Sequence, residues 1–198
     1  MYKITVTADR AANSSAPRWD ILPVAKLTCT SEDITQPIFA QAVLCYRPDD
    51  GLYVRMWAFE TDQAQSLEKS ELVAAFSLNP DRADDYLVVR FSRGGHIEAY
   101  TVTEGRSKAA VDVEGLRLSL FEGEDLQGEY WGGAFVVPQG LLKARFGVSS
   151  YRGGEQIRGN LLHTSEAGGY SEFATLYPTP HRGIDSPDSF GTFELIAY

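Results

Sequence analysis

Apolar and polar residues alternate along most of the chain, in short runs that are separated by turn residues. Alternation places successive side chains on opposite faces of a strand, so each run predicts a half-buried β-strand. The clearest pairs are residues 38–46 with 52–59, and residues 86–92 with 96–102. Pro, Asp and Gly in the first connection (47–51) and two glycines in the second (93–95) favour tight turns, and both pairs are therefore predicted to be β-hairpins.

Further strands are predicted by the same alternation, together with one short helix. The strands are residues 2–7, 72–78, 109–121 with a break at 114–115, 129–137, 157–163 and 192–198, and the helix is 139–146. Many short strands joined by turns are typical of sandwiches and barrels. We predict an all-β protein: an antiparallel β-sandwich, immunoglobulin-like or jelly-roll-like, in one domain (1–198) with its core at about 19–198.

A long segment rich in Gly, Ser, Pro and Tyr, residues 163–189, separates the last two predicted strands. A loop of this length inside a compact domain is usually functional or is held down by packing. We predict that this C-terminal loop crosses the face of a sheet. Tyr170, Phe173 and Tyr177 would then be the rings that fill the contact.

The 198 residues include 12% aromatic side chains, and 27 acidic against 18 basic residues give a net charge of −9. This charge argues against binding to a nucleic-acid backbone. No apolar run is long enough to span a bilayer, and the first residues do not resemble a signal peptide. We expect a cytoplasmic protein whose Cys29 and Cys45 are free thiols.

The sequence contains few residues that could carry catalysis. Its three histidines, His96, His163 and His181, have no second His or Cys at metal-ligand spacing. Nucleophile-elbow, phosphate-loop and dinucleotide-binding motifs are also missing from the sequence. We therefore predict a protein that is not an enzyme and needs no cofactor, although acidic residues at the hairpin ends could hold calcium.

Six short motifs keep an order and spacing that are together informative. They are W-x-I (19–21), LYVRMW (52–57), ELVAAF (71–76), YW…VP (130–138), RGN (158–160) and PDSFGTFEL (187–195). This arrangement, from about Trp19 to Tyr198, resembles the family 9 carbohydrate-binding modules and, more closely, their stand-alone bacterial relatives. The resemblance implies a β-sandwich that binds the ends of sugar chains, in some members with structural calcium and usually beside a glycan-degrading enzyme.

The chain departs from that family at the pair of tryptophans that clamps the sugar. Residues 67–70 (LEKS) stand where the first tryptophan is expected, and Phe173, Tyr177 or Ile184 where the second is expected.

Two neighbouring strands also differ from the family at polar positions. The family's Asp position is Glu71, and its Glu position is Ala74. Polar positions of the next strand fall at Val89 and Phe91, with Arg90 on the other face.

Alternation in residues 52–59 assigns one set of side chains to each face of the strand. Leu52, Val54, Met56 and Ala58 are predicted to face the core, and Tyr53, Arg55, Trp57 and Phe59 the opposite side. By the match to the family, Ala74, Phe76, Val89 and Phe91 would share that second face. We therefore expect the face that binds sugar in the family to be more apolar here and to be closed by the C-terminal loop.

A sugar site needs a flat ring for the apolar C–H face and fixed groups for the hydroxyl edge. The best such set is Trp57 with Arg55 and Glu71, and Arg90, Phe173 and Tyr177 are further candidate ligand-binding residues. We predict a non-catalytic, carbohydrate-binding module-like domain. Two alternatives stay open: a binder of a different apolar small ligand, and a structural or interaction protein whose aromatic face is covered by the loop or by a second copy in a homodimer.

Overall fold

The computed structural model describes residues 1–7, 16–30, 39–59, 69–167 and 170–197. Within them lie fourteen strands, one α-helix and three short 3-10 helices. The strands are β1 (Tyr2–Val6), β2 (Val24–Leu27), β3 (Cys29–Thr30), β4 (Phe39–Arg47), β5 (Gly51–Phe59), β6 (Glu71–Ser77), β7 (Tyr86–Ser92), β8 (Ile97–Thr103), β9 (Ser107–Ala110), β10 (Ser119–Asp125), β11 (Gly128–Pro138), β12 (Gln156–Ala167), β13 (Tyr170–Thr175) and β14 (Gly191–Ala197). The α-helix is α1 (Gln139–Phe146), and the 3-10 helices are Trp19–Ile21, Glu114–Leu116 and Pro187–Ser189.

The strands form two layers that pack face to face. The first layer has the order β10-β11-β5-β4, with β2 beside β4, and the second has the order β14-β12-β6-β7-β8-β9, with β13 beside β12 and β3 beside β13. The predicted β-sandwich is confirmed. One strand departs from a purely antiparallel arrangement, because β1 runs parallel to both β4 and β14 and so joins the layers.

The core between the layers follows from the period-two alternation of their strands. Leu52, Val54, Met56 and Ala58 of β5 point inward and are fully buried, as predicted.

From the second layer, β6 and β7 present their own inward set to the same core. Ala74, Phe76, Val89 and Phe91 are all buried there. The prediction that these four share a face with Trp57 is therefore wrong. The outward positions of β6 and β7 are the alternate residues, which include Glu71 and Arg90.

The C-terminal loop covers the outer face of the second layer. Ile184 and Phe190 pack there against residues of β6, β7 and β8, which are Val73, Ala75, Tyr86, Val88, Tyr100 and Val102. The prediction that this loop crosses a sheet is correct, but it does not close the face that carries Trp57. Part of the predicted loop is a hairpin, because β12 continues to Ala167 and pairs with β13.

The predicted strand 109–121 is two strands in different layers. β9 pairs with β8 in the second layer, whereas β10 pairs with β11 in the first. The 3-10 helix Glu114–Leu116 lies in the crossing between them. Most of the predicted connector 11–16 and residues 67–68 lie outside the described residues. No helix in the described part of the chain is long and apolar enough to cross a membrane.

Candidate functional site

The outer face of the first layer carries a groove whose floor is the strand β11. On this strand Gly132 lies opposite Trp57 and Ala134 lies opposite Arg55. These small residues leave room between the large side chains of β5 on one side and those of β10 on the other. A strand with small central residues thus forms a depression between two rows of larger ones.

Phe121 of β10 lies opposite Gly132 and forms one wall of the groove. A Cβ added at Gly132 would lie 2.7 Å from the Phe121 ring and 2.8 Å from the Cβ of Trp57. The missing side chain of this glycine therefore allows Phe121 and Trp57 to approach each other across the sheet.

A short segment before β2 forms the other wall. Trp19 in the first 3-10 helix meets the edge of Tyr53, with ring centroids 6.3 Å apart. Two hollows flank Arg55 on this surface, of about 390 Å³ and about 520 Å³. Both are in the size range of small-molecule sites, about 300–1000 Å³. We name the surface formed by Trp19, Tyr53, Arg55, Trp57, Phe121 and Tyr130 the aromatic groove.

The guanidinium of Arg55 lies at the centre of the aromatic groove. Its Cζ is 4.6 Å from the ring centroid of Phe121 and 5.8 Å from that of Trp57. Its Nε is buried and has no hydrogen-bond partner, and Arg55 forms no ion pair with any described residue. Aromatic faces attract a cation but do not neutralise it. Among the described residues, no carboxylate pairs with the positive charge of Arg55.

At one end of the groove, charges are paired. Arg117 donates a hydrogen bond of 2.6 Å to Asp50, which also accepts from the Tyr53 hydroxyl. Burial opposes ionisation of Asp50, but these two hydrogen bonds and the charges of Arg117 and Arg47 hold its pKa below the ordinary value. Burial and the hydrogen bond to Asp50 raise the pKa of Tyr53.

Two acidic residues line the larger hollow: Asp20, which pairs with Arg18, and Asp125, at the end of β10. One carboxylate oxygen of Asp125 accepts the backbone N–H of Gln127 at 2.7 Å, and Asp125 forms no ion pair within the described ranges. The groove therefore offers both a cation and an acceptor to a polar ligand.

Two of the residues predicted from the sequence lie on the other side of the molecule. Arg90 contacts Glu71 at 3.9 Å and Asp185 at 3.7 Å, on the outer face of the second layer. These ion pairs join the C-terminal loop to β6 and β7. The nearby Tyr100 ring is buried, and its pKa is raised to about 12 by burial and by the charge of Asp185.

Phe173 and Tyr177 are packing residues. Phe173 is 7% exposed and belongs to the cluster beneath the C-terminal loop. The Tyr177 ring lies 5.5 Å from Phe193, and its hydroxyl oxygen accepts the backbone N–H of Tyr2 at 2.8 Å. Of the six predicted residues, the structure thus brings Trp57 and Arg55 together in the aromatic groove and leaves the others elsewhere.

Three groove residues were not predicted from the sequence: Phe121, Tyr130 and Asp125. Alternation within β10 and β11 would have shown which side chains share a face. The sequence does not indicate that β10 pairs with β11, because residues 109–121, which include the crossing at 111–118, resemble one interrupted strand. In the sequence, Trp19 stands out only as part of the W-x-I motif.

The described residues contain no group of three or more His, Cys, Asp or Glu that could hold a metal ion.

No protein-family model and no curated protein sequence matches this chain. Among solved structures, a candidate carbohydrate-binding protein from Bacteroides uniformis has a TM-score of 0.69 at 15% identity, over 98% of this chain and 97% of its own. A family 9 carbohydrate-binding module from Caldicellulosiruptor kristjanssonii in complex with cellotriose has a TM-score of 0.64 at 13% identity, covering 100% of this chain and 94% of its own. The same kind of module from that organism, in complex with glucose, has a TM-score of 0.61 at 13% identity, covering 99% and 95%. At such identities the likeness establishes architecture, and this chain has the fold of the family 9 carbohydrate-binding modules.

Proposed function

We propose that this protein binds carbohydrate in the aromatic groove, without catalysing a reaction on it. The observation that carries the proposal is the placement of a guanidinium beside the rings of Trp57 and Phe121, between two hollows. A pyranose presents apolar C–H groups on its faces and hydroxyls at its edge. Aromatic rings match the faces, and Arg55 with Asp125 can exchange hydrogen bonds with the edge.

The fold supports this class of function. The two Caldicellulosiruptor modules of the same fold are complexes with cellotriose and glucose. A shared fold does not transfer a binding site, so the location rests on the side chains of this chain. Among the described residues, the partly buried rings of Trp19, Trp57, Phe121 and Tyr130 contrast with the buried rings beneath the C-terminal loop.

The alternative of a structural sandwich with a covered aromatic face is supported less well. The C-terminal loop packs on the second layer, whereas Trp57 and Trp19 are only partly buried on the first. An accessible groove with polar groups at its centre suits a ligand better than a packing surface.

The test is a titration of neutral mono- and oligosaccharides, followed by tryptophan fluorescence and calorimetry. We expect a saccharide to change the fluorescence of the wild-type protein. Trp57→Ala should weaken binding at least about fivefold, since a stacking ring contributes on the order of 1 kcal/mol or more. Trp57→Phe keeps a ring and should lose less.

A matched control lies on the opposite outer face. Arg90→Met and Glu71→Gln remove charges that tie the C-terminal loop to the second layer, and they should leave saccharide affinity unchanged. Loss of binding in these two variants, with full binding in Trp57→Ala, would place the site on the second layer and contradict the proposed location.

Other expectations from the sequence stay predictions. They are the absence of catalytic activity, a cytoplasmic location, a single domain and a possible homodimer. Assays of glycoside hydrolysis, fractionation of cells and sedimentation velocity address the first, second and last of these.

A further inference from the structure

We infer that the aromatic groove prefers saccharides that contain a uronic acid residue, and that Arg55 binds the carboxylate of this residue. The inference rests on the proposed function, because it names the class of sugar bound at the same site.

The first step is the difference between Arg55 and the other arginines that line the groove. Arg117 pairs with Asp50 at 2.6 Å and Arg18 pairs with Asp20 at 3.3 Å. Arg55 has no acidic partner among the described residues, and its Nε lacks a hydrogen bond. A buried cationic donor without a partner is costly, and this cost is relieved when an anion binds.

The second step is the orientation of the guanidinium. Contact with the rings of Phe121 and Trp57 restricts its position over the floor of the groove. A guanidinium forms two parallel hydrogen bonds with a carboxylate, which a hydroxyl cannot match. A sugar that stacks on these rings would displace water from the guanidinium and so strengthen the charge–charge interaction.

The third step limits the ligand to one carboxylate at the site. The protein has a net charge of −9, and Asp125 lies in the larger hollow. Densely charged ligands such as sulfated or phosphorylated glycans would be repelled by this field. A single uronate beside Arg55, with neutral hydroxyls toward Asp125, satisfies both groups.

The hollows on either side of Arg55 set the size of the ligand. Their volumes, about 390 Å³ and about 520 Å³, each admit a sugar ring. A short oligosaccharide can therefore extend through both hollows, with its carboxylate at the arginine between them.

The test compares three disaccharides of similar size: one built from a galacturonic acid and a galactose residue, its methyl ester, and neutral digalactose. The ester removes the charge of the acid and adds only one methyl group. We expect the wild-type protein to bind the acid at least about tenfold more tightly than the ester, because charge-assisted hydrogen bonds are stronger than neutral ones. Added salt should reduce this ratio.

Variants assign the preference to one residue. In Arg55→Met the ratio of acid to ester affinity should fall to about one, and Arg55→Lys should retain part of it. Arg90→Met is the matched control, because Arg90 also lies on an outer sheet face with a buried, unpartnered Nε, and it should keep the full ratio. Circular dichroism checks that each variant is folded, and the lysine variant carries the test if the methionine variant is not.

The outcomes separate the two proposals. Equal binding of acid, ester and neutral sugar, lost in Trp57→Ala, would overturn the charge preference and leave carbohydrate binding intact. A preference that survives in Arg55→Lys and Arg55→Met would also overturn it. Binding of no saccharide at all would contradict the proposed function itself.

Discussion

Asp50 shows how the environment of one residue links the groove to stability. Although burial opposes ionisation, hydrogen bonds from Tyr53 and Arg117 hold the pKa of Asp50 below 3.8 in the folded protein. A carboxyl whose pKa is lowered on folding stabilises the protein above its unfolded pKa. That stability is lost as the pH falls through the folded pKa.

We therefore predict that acidification destabilises the wild type more than Asp50→Asn. At neutral pH the variant should have the lower free energy of unfolding, and the difference should shrink from about pH 5 downward, because the wild-type carboxylate becomes protonated. Urea denaturation at several pH values measures this. Asp20→Asn, at an exposed ion pair, is the control. Parallel curves for wild type and Asp50→Asn would contradict the prediction.

At this scale the sequence predicted that Arg55 and Trp57, the pair at the centre of the aromatic groove, lie together. Alternation within residues 52–59 was enough to place Arg55 and Trp57 on one face of β5, and the structure agrees. Glu71 and Arg90 were assigned to the same site because motif order carries no information on which layer faces which. Their side chains point outward from the second layer. Which layer a strand joins depends on contacts between residues distant in sequence, and these cannot be inferred from the order of motifs.

At the scale of elements, the turn residues were enough to predict the hairpins. Strand pairings that depend on residues distant in sequence were missed. The turn after β4 contains Pro, Asp and Gly, the turn after β7 contains two glycines, and both hairpins formed where expected. The residues of β13 were predicted to be loop. They form a strand because they pair with β12, and their own composition does not indicate this pairing. The crossing between β9 and β10 was missed for a similar reason. Residues 109–121 alternate almost continuously, so β9 and β10 resemble a single strand although they lie in different layers.

The C-terminal loop is fixed by the side chain of Asn160, which is fully buried on β12. Its amide nitrogen donates to the carbonyls of Tyr177 at 3.0 Å and Ser189 at 2.7 Å. Its oxygen accepts the N–H groups of Leu161 at 2.9 Å and Tyr177 at 3.0 Å. One side chain therefore holds both ends of the segment between β13 and β14.

We predict that Asn160→Ala lowers the free energy of unfolding by about 2–4 kcal/mol, because several buried backbone groups lose their partner. Proteolysis within residues 178–188 should also become faster, since the segment is released from its anchor. Chemical denaturation and timed digestion with mass spectrometry measure both effects.

The control is Asn79→Ala, which removes a half-buried asparagine that donates to Phe146 at 2.8 Å. It should cost less stability and leave the C-terminal loop resistant. Equal losses in the two variants, with unchanged proteolysis, would show that Asn160 does not hold the loop.

At the scale of the whole molecule, the two outer faces of the sandwich differ. The second layer is covered by the C-terminal loop, which buries Tyr86, Tyr100 and Phe190. The first layer carries the aromatic groove, where small residues of β11 separate larger neighbours. The fold could be predicted from alternation and motif order, but which face remains accessible depends on where the loop packs.

The central claim is that a saccharide enters the aromatic groove, and the indole N–H signals of the three tryptophans test it most directly. Trp19 and Trp57 line the groove, whereas Trp131 is 2% exposed in the core and serves as an internal reference. In a nuclear magnetic resonance titration with the disaccharide of galacturonic acid and galactose, the account predicts that the Trp19 and Trp57 signals shift and the Trp131 signal stays in place. Unchanged signals for Trp19 and Trp57, with shifts in the backbone of Glu71, Arg90 and Asp185, would contradict it.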